Sequence, residues 1–414
     1  MDALFGSHWK PLLLRSSRYG TRRRPCSRNN TCSLFLHDLD YSRVIVLALV
    51  ALTINVLNLV IFLVNTLTAR RPTFAEATRS TVNVLLPCRN EAARVTPTLE
   101  SLFAQEGLAD CHFYILNDRS TDTTQSVISA LISGKENASL TSGREIEPGW
   151  IGKSFALHQL FESARESDYT VLVDADVTLS PRALSSAIAT LQQSELDFLS
   201  IYPLQVTRSW SEYLIQPLLQ WTWMTSLLLR RSERSARRST TVANGQFMVI
   251  RNSALSRIQG FTHVRNFVLD DIALARQLKA SGAFGSVING SDLAQCRMYE
   301  NFGQLSHGYR KSLWSAFGSP FAAVAVAALF TVAYILPLPL ALLQHGWIAT
   351  ISALSFALSL MVRYGVAALT RAPRFSSLFH PIAILFLLFL LAASWSDRLR
   401  GKLSWSGRTL SDSQ

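Results

Sequence analysis

Apolar residues along this chain recur on two length scales. On the longer one, segments 44–67, 320–343, 347–369 and 378–395 are apolar almost throughout, and a helix needs about 20 such residues to cross a bilayer. Four membrane segments are therefore expected, the last being the shortest. The first carries Asn55, Asn58 and Asn65 as polar interruptions. It is too long, and too poor in a small-residue cleavage site, for a secretion signal, so it reads as an anchor.

On the shorter scale, β-branched and aromatic runs alternate with polar loops and helix-forming stretches across residues 80–313. Val82-Asn-Val-Leu-Leu-Pro87-Cys-Arg89-Asn90-Glu91 reads as a buried strand broken by proline into a polar loop, with a helix over 96–103. Phe113-Tyr-Ile-Leu is a second strand running into Asn117-Asp118-Arg-Ser-Thr-Asp122, whose Ser and Asp suit the start of the next helix. Tyr169-Thr-Val-Leu-Val-Asp174-Ala-Asp176 is a third, and Asp270-Asp271 opens an amphipathic helix that stops before Gly282. Segment 133–147, rich in Ser, Gly and charge, is expected as a mobile loop. Alternation of this kind predicts an open α/β sheet whose ligand lies along the carboxyl ends of the strands.

Composition then narrows the class. At 49% hydrophobic and 16% charged residues, the chain is too apolar for a soluble enzyme and too polar for a purely membrane protein, which leaves one globular domain plus membrane helices. The net charge of +12 includes Arg22, Arg23, Arg24 and Arg28 ahead of the first apolar segment and Arg70, Arg71 and Arg79 behind it. Arginines so close to a membrane segment suit an anionic lipid surface, so no nucleic-acid partner is expected. Lying on both sides, they give the positive-inside rule no clear winner. Cys26, Cys32, Cys88, Cys111 and Cys296 show neither paired spacing nor a His cluster, which argues against a disulfide framework and a zinc site.

Side chains two apart on an extended strand share a face, so Asp174 and Asp176 can converge on one hard divalent cation; a solvated turn is the plainer alternative. Gly149-Trp-Ile-Gly152-Lys153-Ser154 invites a phosphate-loop reading, but the glycine required five residues before Gly152 is Glu147. Glu91, Asp122, Asp270 and Asp271 also suit helix starts. Trp210, Tyr213, Trp221, Trp223 and Met224 crowd an apolar stretch ending in Arg230-Arg231, which fits either an interfacial helix or one packed into a core.

Taken in order, Pro87-x-Arg89-Asn90-Glu91, Asn117-Asp118-x-Ser-Thr-Asp122, Asp174-Ala-Asp176 and Asp270-Asp271 resemble the membrane-bound glycosyltransferases of family 2. Ala243-Asn-Gly-Gln-Phe-Met and Cys296-Arg-Met-Tyr are most similar to the members associated with glycosylation of carotenoid or hopanoid-type lipids. The resemblance implies a GT-A fold, an α/β nucleotide-sugar-binding domain with a mostly parallel sheet and flanking helices, here joined to about four transmembrane helices. It implies that Pro87, Arg89, Glu91 and Asp118 grip the base and ribose, and that Lys153 lies near the phosphates. Asp176 would bind Mg2+ or Mn2+ directly, with Asp174 beside it and nearer the ribose. Asp271 matches the base that deprotonates an acceptor hydroxyl, and Asp270 stands where the usual partner is a longer Glu. Asn117 replaces an acid found in many relatives. His307-Gly-Tyr-Arg310-Lys311 stands in place of the Gln-x-x-Arg-Trp of processive relatives. Arg310 is then expected at the diphosphate, and loss of the tryptophan favours transfer of a single sugar.

The expectation is an inverting glycosyltransferase moving a sugar from a nucleotide-sugar donor to a membrane lipid of carotenoid, hopanoid or polyprenyl type. A processive polysaccharide synthase and an inactive nucleotide-sugar-binding scaffold are the competing readings. The expected organisation is a basic arm without fixed structure over 1–43, a membrane helix over 44–67, a catalytic domain over 80–313, membrane segments within 320–395 and a polar tail over 396–414. The resemblance places the catalytic domain on the cytoplasmic face of a bacterial cell membrane.

Overall fold

The computed structural model describes the backbone of residues 29–401, 404–405 and 408–409, and the side chains of 41–401. The chain divides into two compact units, 1–45 and 46–414. In the first, the described part is helical and belongs to helix Asn29–Thr68, so the last third of the expected arm has regular structure. Residues 1–28 of that arm, and the side chains of the tail beyond 401, lie outside the described residues.

The larger unit is built on a seven-stranded sheet. In chain order its strands are β1 (Thr78–Cys88), β2 (Leu108–Asn117), β3 (Ala138–Ser142), β4 (Tyr169–Val173), β6 (Phe198–Tyr202), β8 (Phe247–Arg251) and β9 (Gly285–Asn289), arranged β3-β2-β1-β4-β8-β6-β9. Short strands β5 (Val177–Leu179), β7 (Leu204–Gln205) and β10 (Ala294–Cys296) make a second sheet. β3, β2, β1 and β4 run parallel, whereas β8 is antiparallel to both β4 and β6. Because β8 is reversed against both neighbours and β9 runs with β6, six of the seven strands point one way, and the sheet is mostly parallel, as expected, with one antiparallel strand. Its odd strand follows the long excursion 203–246 in place of one crossover helix, and it enters from the opposite edge.

Alternation along β1 and β4 explains why their apolar runs are unbroken. Val82, Val84, Leu86, Val171 and Val173 pack on one face with Val95, Leu99, Leu102 and Ile188, while Leu85 and Leu172 pack on the other with Leu157, Leu160, Leu274 and Leu278. A strand covered by helices on both faces needs apolar residues at every position. Segment 133–147 departs from its expectation, because β3 lies within it and pairs with β2 from Phe113↔Ala138 to Asn117↔Ser142. Its Ser and Thr residues belong to a sheet edge, where one face meets water.

Among the described residues three helical stretches are long and apolar enough to cross a membrane: Tyr41–Thr68, Gly346–Leu369 and Arg374–Leu399. The last is thus longer than its apolar run suggested. Segment 320–343 is not one straight helix: it breaks into Pro320–Phe330, a π-turn over Thr331–Ile335, and Pro337–Leu343. Helix Phe302–Phe317 meets Pro320–Ile335 at 104°, so a fourth crossing exists only if this bent pair is one span. Gly318 at φ 71 permits the sharp corner, and the Ser319 hydroxyl caps the next helix by accepting from Ala322 N–H at 3.1 Å. Pro337 has no N–H to offer the Ala333 carbonyl one turn back. Asn55 of the first span donates to that carbonyl at 2.9 Å instead, which gives this polar interruption a structural task.

Helix Trp210–Ser226 joins the sheet domain to the membrane helices. Its Ile215, Leu218, Trp221, Trp223 and Met224 share one apolar cluster with Tyr202 and Val287 of the sheet and with Phe62, Val362, Val366, Ala383 and Ile384 of the membrane helices. Each large side chain buried there stabilises the joint by roughly 1.5–3 kcal/mol. Trp221 and Trp223 are core residues, and Trp210 alone among the helix's tryptophans remains 62% exposed.

Candidate active site

β1, β2 and β4 end together, and their carboxyl ends open into a cleft of about 830 Å³, a size typical of small-ligand sites. β1 runs through Pro87, which was expected to break it, to Cys88, still paired with β2, and the loops beyond β1 and β2 are tied to each other. Arg89 Nη1 donates to the Asp118 carbonyl at 2.6 Å, and Asn90 Oδ1 accepts from Thr121 N–H at 2.8 Å. Asn90 sits at φ 56, a conformation asparagine tolerates better than most side chains. Asp118 is 2% exposed, with its Oδ2 4.0 Å from the Arg89 guanidinium. Asp122 is not a lining residue; its carboxylate accepts from Thr124 N–H at 3.0 Å and Ala92 N–H at 3.3 Å, knitting the same loops.

Past β4 the chain turns through Asp174 and Asp176, both of which line the cleft. Lys153, in the first turn of helix Gly152–Ser163, reaches across so that Nζ lies 2.6 Å from Asp174 Oδ1. Burial acts to lower the Lys153 ammonium, but Asp174, Asp270 and Asp271 outweigh it and hold its pKa above the ordinary lysine range. Burial, and then the Asp174 charge, push the Asp176 carboxyl up to about 6. Glu91 is pushed up to about 7 by burial, with Arg94 opposing at 3.0 Å and Asp176 adding to the rise. Three acids therefore crowd one another, an arrangement that a cation would relieve.

Asp270 and Asp271 form the first turn of helix Asp270–Ala280, which ends before Gly282 at φ 89. The Asp271 carboxylate is held from two sides: Oδ2 accepts from Gly245 N–H at 2.8 Å, and Oδ1 from Ile272 N–H at 2.8 Å. Burial, followed by the charge of Asp270, pushes it up to about 6. Burial also raises Asp270, against the pull of Lys153. Gly245 arrives here because β8 pairs antiparallel with β4, Val173 facing Phe247, which puts the residues before β8 beside the end of β4.

The cleft continues away from the acids toward the membrane helices. There it is lined by Leu219, Trp223 and Leu227 on one side and by Tyr309, Leu313, Ala316 and Phe317 on the other. Tyr202 and Tyr299 also line it, their rings 5.9 Å from those of Trp223 and Tyr309 respectively.

Of the residues expected from sequence, Pro87, Arg89, Glu91, Asp118, Lys153, Asp174, Asp176, Asp270 and Asp271 all line this one cleft. Arg310 does not. Its guanidinium forks onto Asp397 at 2.7 and 2.8 Å, away from the acids. Successive residues on a helix point about 100° apart, so turning Arg310 toward the last membrane helix turns Lys311 into the cleft, where its charge acts on Asp270. Gly245, Tyr202 and Tyr299 were not singled out in the sequence. Only the quoted Ala243-Asn-Gly-Gln and Cys296-Arg-Met-Tyr stretches pointed near Gly245 and Tyr299.

Residues 79–288, just over half of the chain, match the family described as Glycosyltransferase like family 2. A 4,4'-diaponeurosporenoate glycosyltransferase of Staphylococcus haemolyticus (strain JCSC1435) is 26% identical over 355 residues, covering 81% of this chain and 89% of that protein. The mannosyltransferase PcManGT of Pyrobaculum calidifontis, solved in complex with GDP-Man and Mn2+, is similar in fold with a TM-score of 0.54. That likeness is at 15% identity and covers 85% of this chain and 99% of the other. The strand order, the acids gathered at the strand ends and the span of the family match agree, and the chain belongs to glycosyltransferase like family 2, as a GT-A-type enzyme with three to four candidate membrane-spanning helices.

Proposed function

We propose that this glycosyltransferase moves a single sugar from a nucleotide-sugar donor to the hydroxyl of a membrane lipid, with inversion at the anomeric carbon. The observation that carries the reading is the continuity of one cleft, charged at the strand ends and apolar between helices Trp210–Ser226 and Phe302–Phe317. A nucleotide diphosphate suits the first end, and a lipid tail suits the second. The name of the Staphylococcus relative supports a carotenoid-type acceptor, and the GDP-Man complex of the Pyrobaculum enzyme supports a nucleotide-sugar donor.

In this mechanism Arg89, Glu91 and Asp118 hold the nucleoside, and Lys153 stands at the diphosphate with its charge secured by three acids. Asp271 takes the proton of the acceptor hydroxyl as that oxygen bonds to the anomeric carbon, and the bond from that carbon to the diphosphate oxygen breaks. The nucleoside diphosphate leaves with the electron pair. Gly245 N–H and Ile272 N–H aim the Asp271 carboxylate, and an aimed base is what general-base catalysis requires. Lys311 adds positive charge beside Asp270.

The crowded oxygens of Asp176 and Asp174 have the donor chemistry for Mg2+ or Mn2+. Among the described residues no cluster of three or more His, Cys, Asp or Glu is placed to hold a metal by itself. Phosphate oxygens and water would complete the shell, as is usual for Mg2+. Bound there, the ion would offset charge on the departing diphosphate.

A domain facing the cytoplasm of a bacterial cell membrane is the orientation that the family resemblance implies. Helix Gly346–Leu369 meets the domain at its far end, where Asn289 Nδ2 donates to the Leu369 carbonyl at 2.8 Å and Arg371 pairs with Asp292. Arg70, Arg71, Arg371 and Arg374 lie at domain-side ends, while Arg43, Arg398 and Arg400 lie at the other ends of the same helical stretches, so the positive-inside rule does not choose the side. Mass spectrometry of lipids from cells with and without this protein tests the whole reading. A lipid carrying one hexose should disappear with the protein, whereas loss of a polymer instead would establish the processive alternative.

A further inference from the structure

The stretch that follows helix Trp210–Ser226 is tied to the end of the first membrane span. Asn65, in the last turn of Tyr41–Thr68, donates from Nδ2 to the Met224 carbonyl at 2.9 Å and the Leu227 carbonyl at 2.6 Å, and its Oδ1 accepts from Leu229 N–H at 3.0 Å. Just past the span, Arg70 forks onto Glu233 at 2.9 and 3.1 Å. These contacts hold residues 224–233 at the depth where the span leaves the hydrocarbon, which is the level of the headgroups.

From that level the chain reads Arg230-Arg231-Ser-Glu233-Arg234-Ser-Ala-Arg237-Arg238, five arginines to one acid. The acid faces inward at 3% exposure, its carboxylate occupied by Arg70 and Arg230. Arg231, Arg237 and Arg238 are exposed and have no ion-pair partner among the described residues. The rim they form borders the cleft, since Ser239, Thr241 and Arg276 line its mouth. Arg238 stands close enough to Arg276 for their charges to oppose each other.

We propose that this arginine rim is a docking surface for the anionic headgroups of the bilayer around the cleft mouth. Guanidinium forks match phosphate oxygens, and their self-repulsion is relieved only by anions. The inference rests on Tyr41–Thr68 being a membrane span and is independent of the acceptor's identity. Each basic residue at such a surface raises anionic-lipid association roughly fivefold.

The test is native mass spectrometry of the full-length protein in detergent, offered equal amounts of phosphatidylglycerol and phosphatidylcholine. Wild type should retain phosphatidylglycerol in preference, and the preference should shrink with added salt. The triple variant R231Q/R237Q/R238Q should lose that preference by about tenfold or more, while the triple lysine replacement keeps most of it. The altered side chains are exposed, and an unchanged unfolding temperature confirms the fold. Equal retention of both lipids by wild type, or the same preference in the glutamine variant, overturns the proposal. So does a glutamine variant whose donor KM rises in lipid-free detergent while its lipid preference stays, because the rim would then serve the donor's phosphates. A protein that stays dispersed without detergent would instead remove the membrane reading itself.

Discussion

The backbone N–H of Gly245, two residues before β8, donates to Asp271 Oδ2 at 2.8 Å and so touches the proposed base. A Cβ at position 245 would lie 3.0 Å from Asp271 Cβ and 3.5 Å from Lys153 Nζ. The first distance is tight and the second an ordinary contact, so Gly245→Ala should push Asp271 aside and lower kcat/KM by about ten- to hundredfold, since an ångström of misplacement is felt at that scale. Thermal unfolding should change little, as the cleft is open to water. An alanine variant with full activity would show that the contact does not aim the carboxylate.

Asp271 must be ionised to accept a proton, and burial together with the Asp270 charge pushes it up to about 6. The rate should fall as pH drops through about 6 and level off above it. The same shift acts on stability with a definite sign. An unfolded Asp ionises near about 4, so ionising the folded one costs stability, a cost that sets in between about 4 and 6 and persists above. Asp271→Asn should abolish transfer and leave donor binding intact, as measured by calorimetry with a nucleotide sugar. Equal losses of donor affinity and rate would make Asp271 a binding or capping residue.

Asp176→Asn should lower turnover by orders of magnitude with little effect on folding, because an isostere keeps the strand end but lacks the carboxylate charge needed for a divalent ion. Excess chelator should reproduce the loss in wild type, and added Mn2+ or Mg2+ should reverse it there but not in the variant. Unchanged wild-type turnover in chelator would sink the metal assignment.

Arg310 and Lys311 should behave in opposite ways. Arg310→Ala breaks the fork to Asp397, and with the arginine side chain 41% exposed the cost in stability should stay within about 1 kcal/mol. Donor KM should not move. Lys311→Ala removes positive charge from the cleft and should raise donor KM by about tenfold, the order expected of a charge-assisted contact. A raised donor KM in the Arg310 variant would return that residue to the diphosphate.

Much of this protein was written locally. A strand buried on both faces needs apolar residues at every position, so 82–86 and 169–173 declared themselves, as did the membrane runs. The acids also stood out, because i, i+2 and i, i+1 spacings at element ends are visible without any partner. What joined them was tertiary. β8 enters the sheet antiparallel after a 44-residue excursion, and no local period encodes that direction, so neither this one reversed strand nor Gly245 beside Asp271 was legible. Arg310 and Lys311 are adjacent in sequence and differ only by a helical rotation set when Asp397 packs alongside. Trp221 and Trp223 suited a lipid surface or a core equally well, and the choice fell to the membrane helices that cover them. Local chemistry names the groups; which of them share a cleft depends on contacts between residues far apart in the chain, whose free energy exists only once the fold has formed.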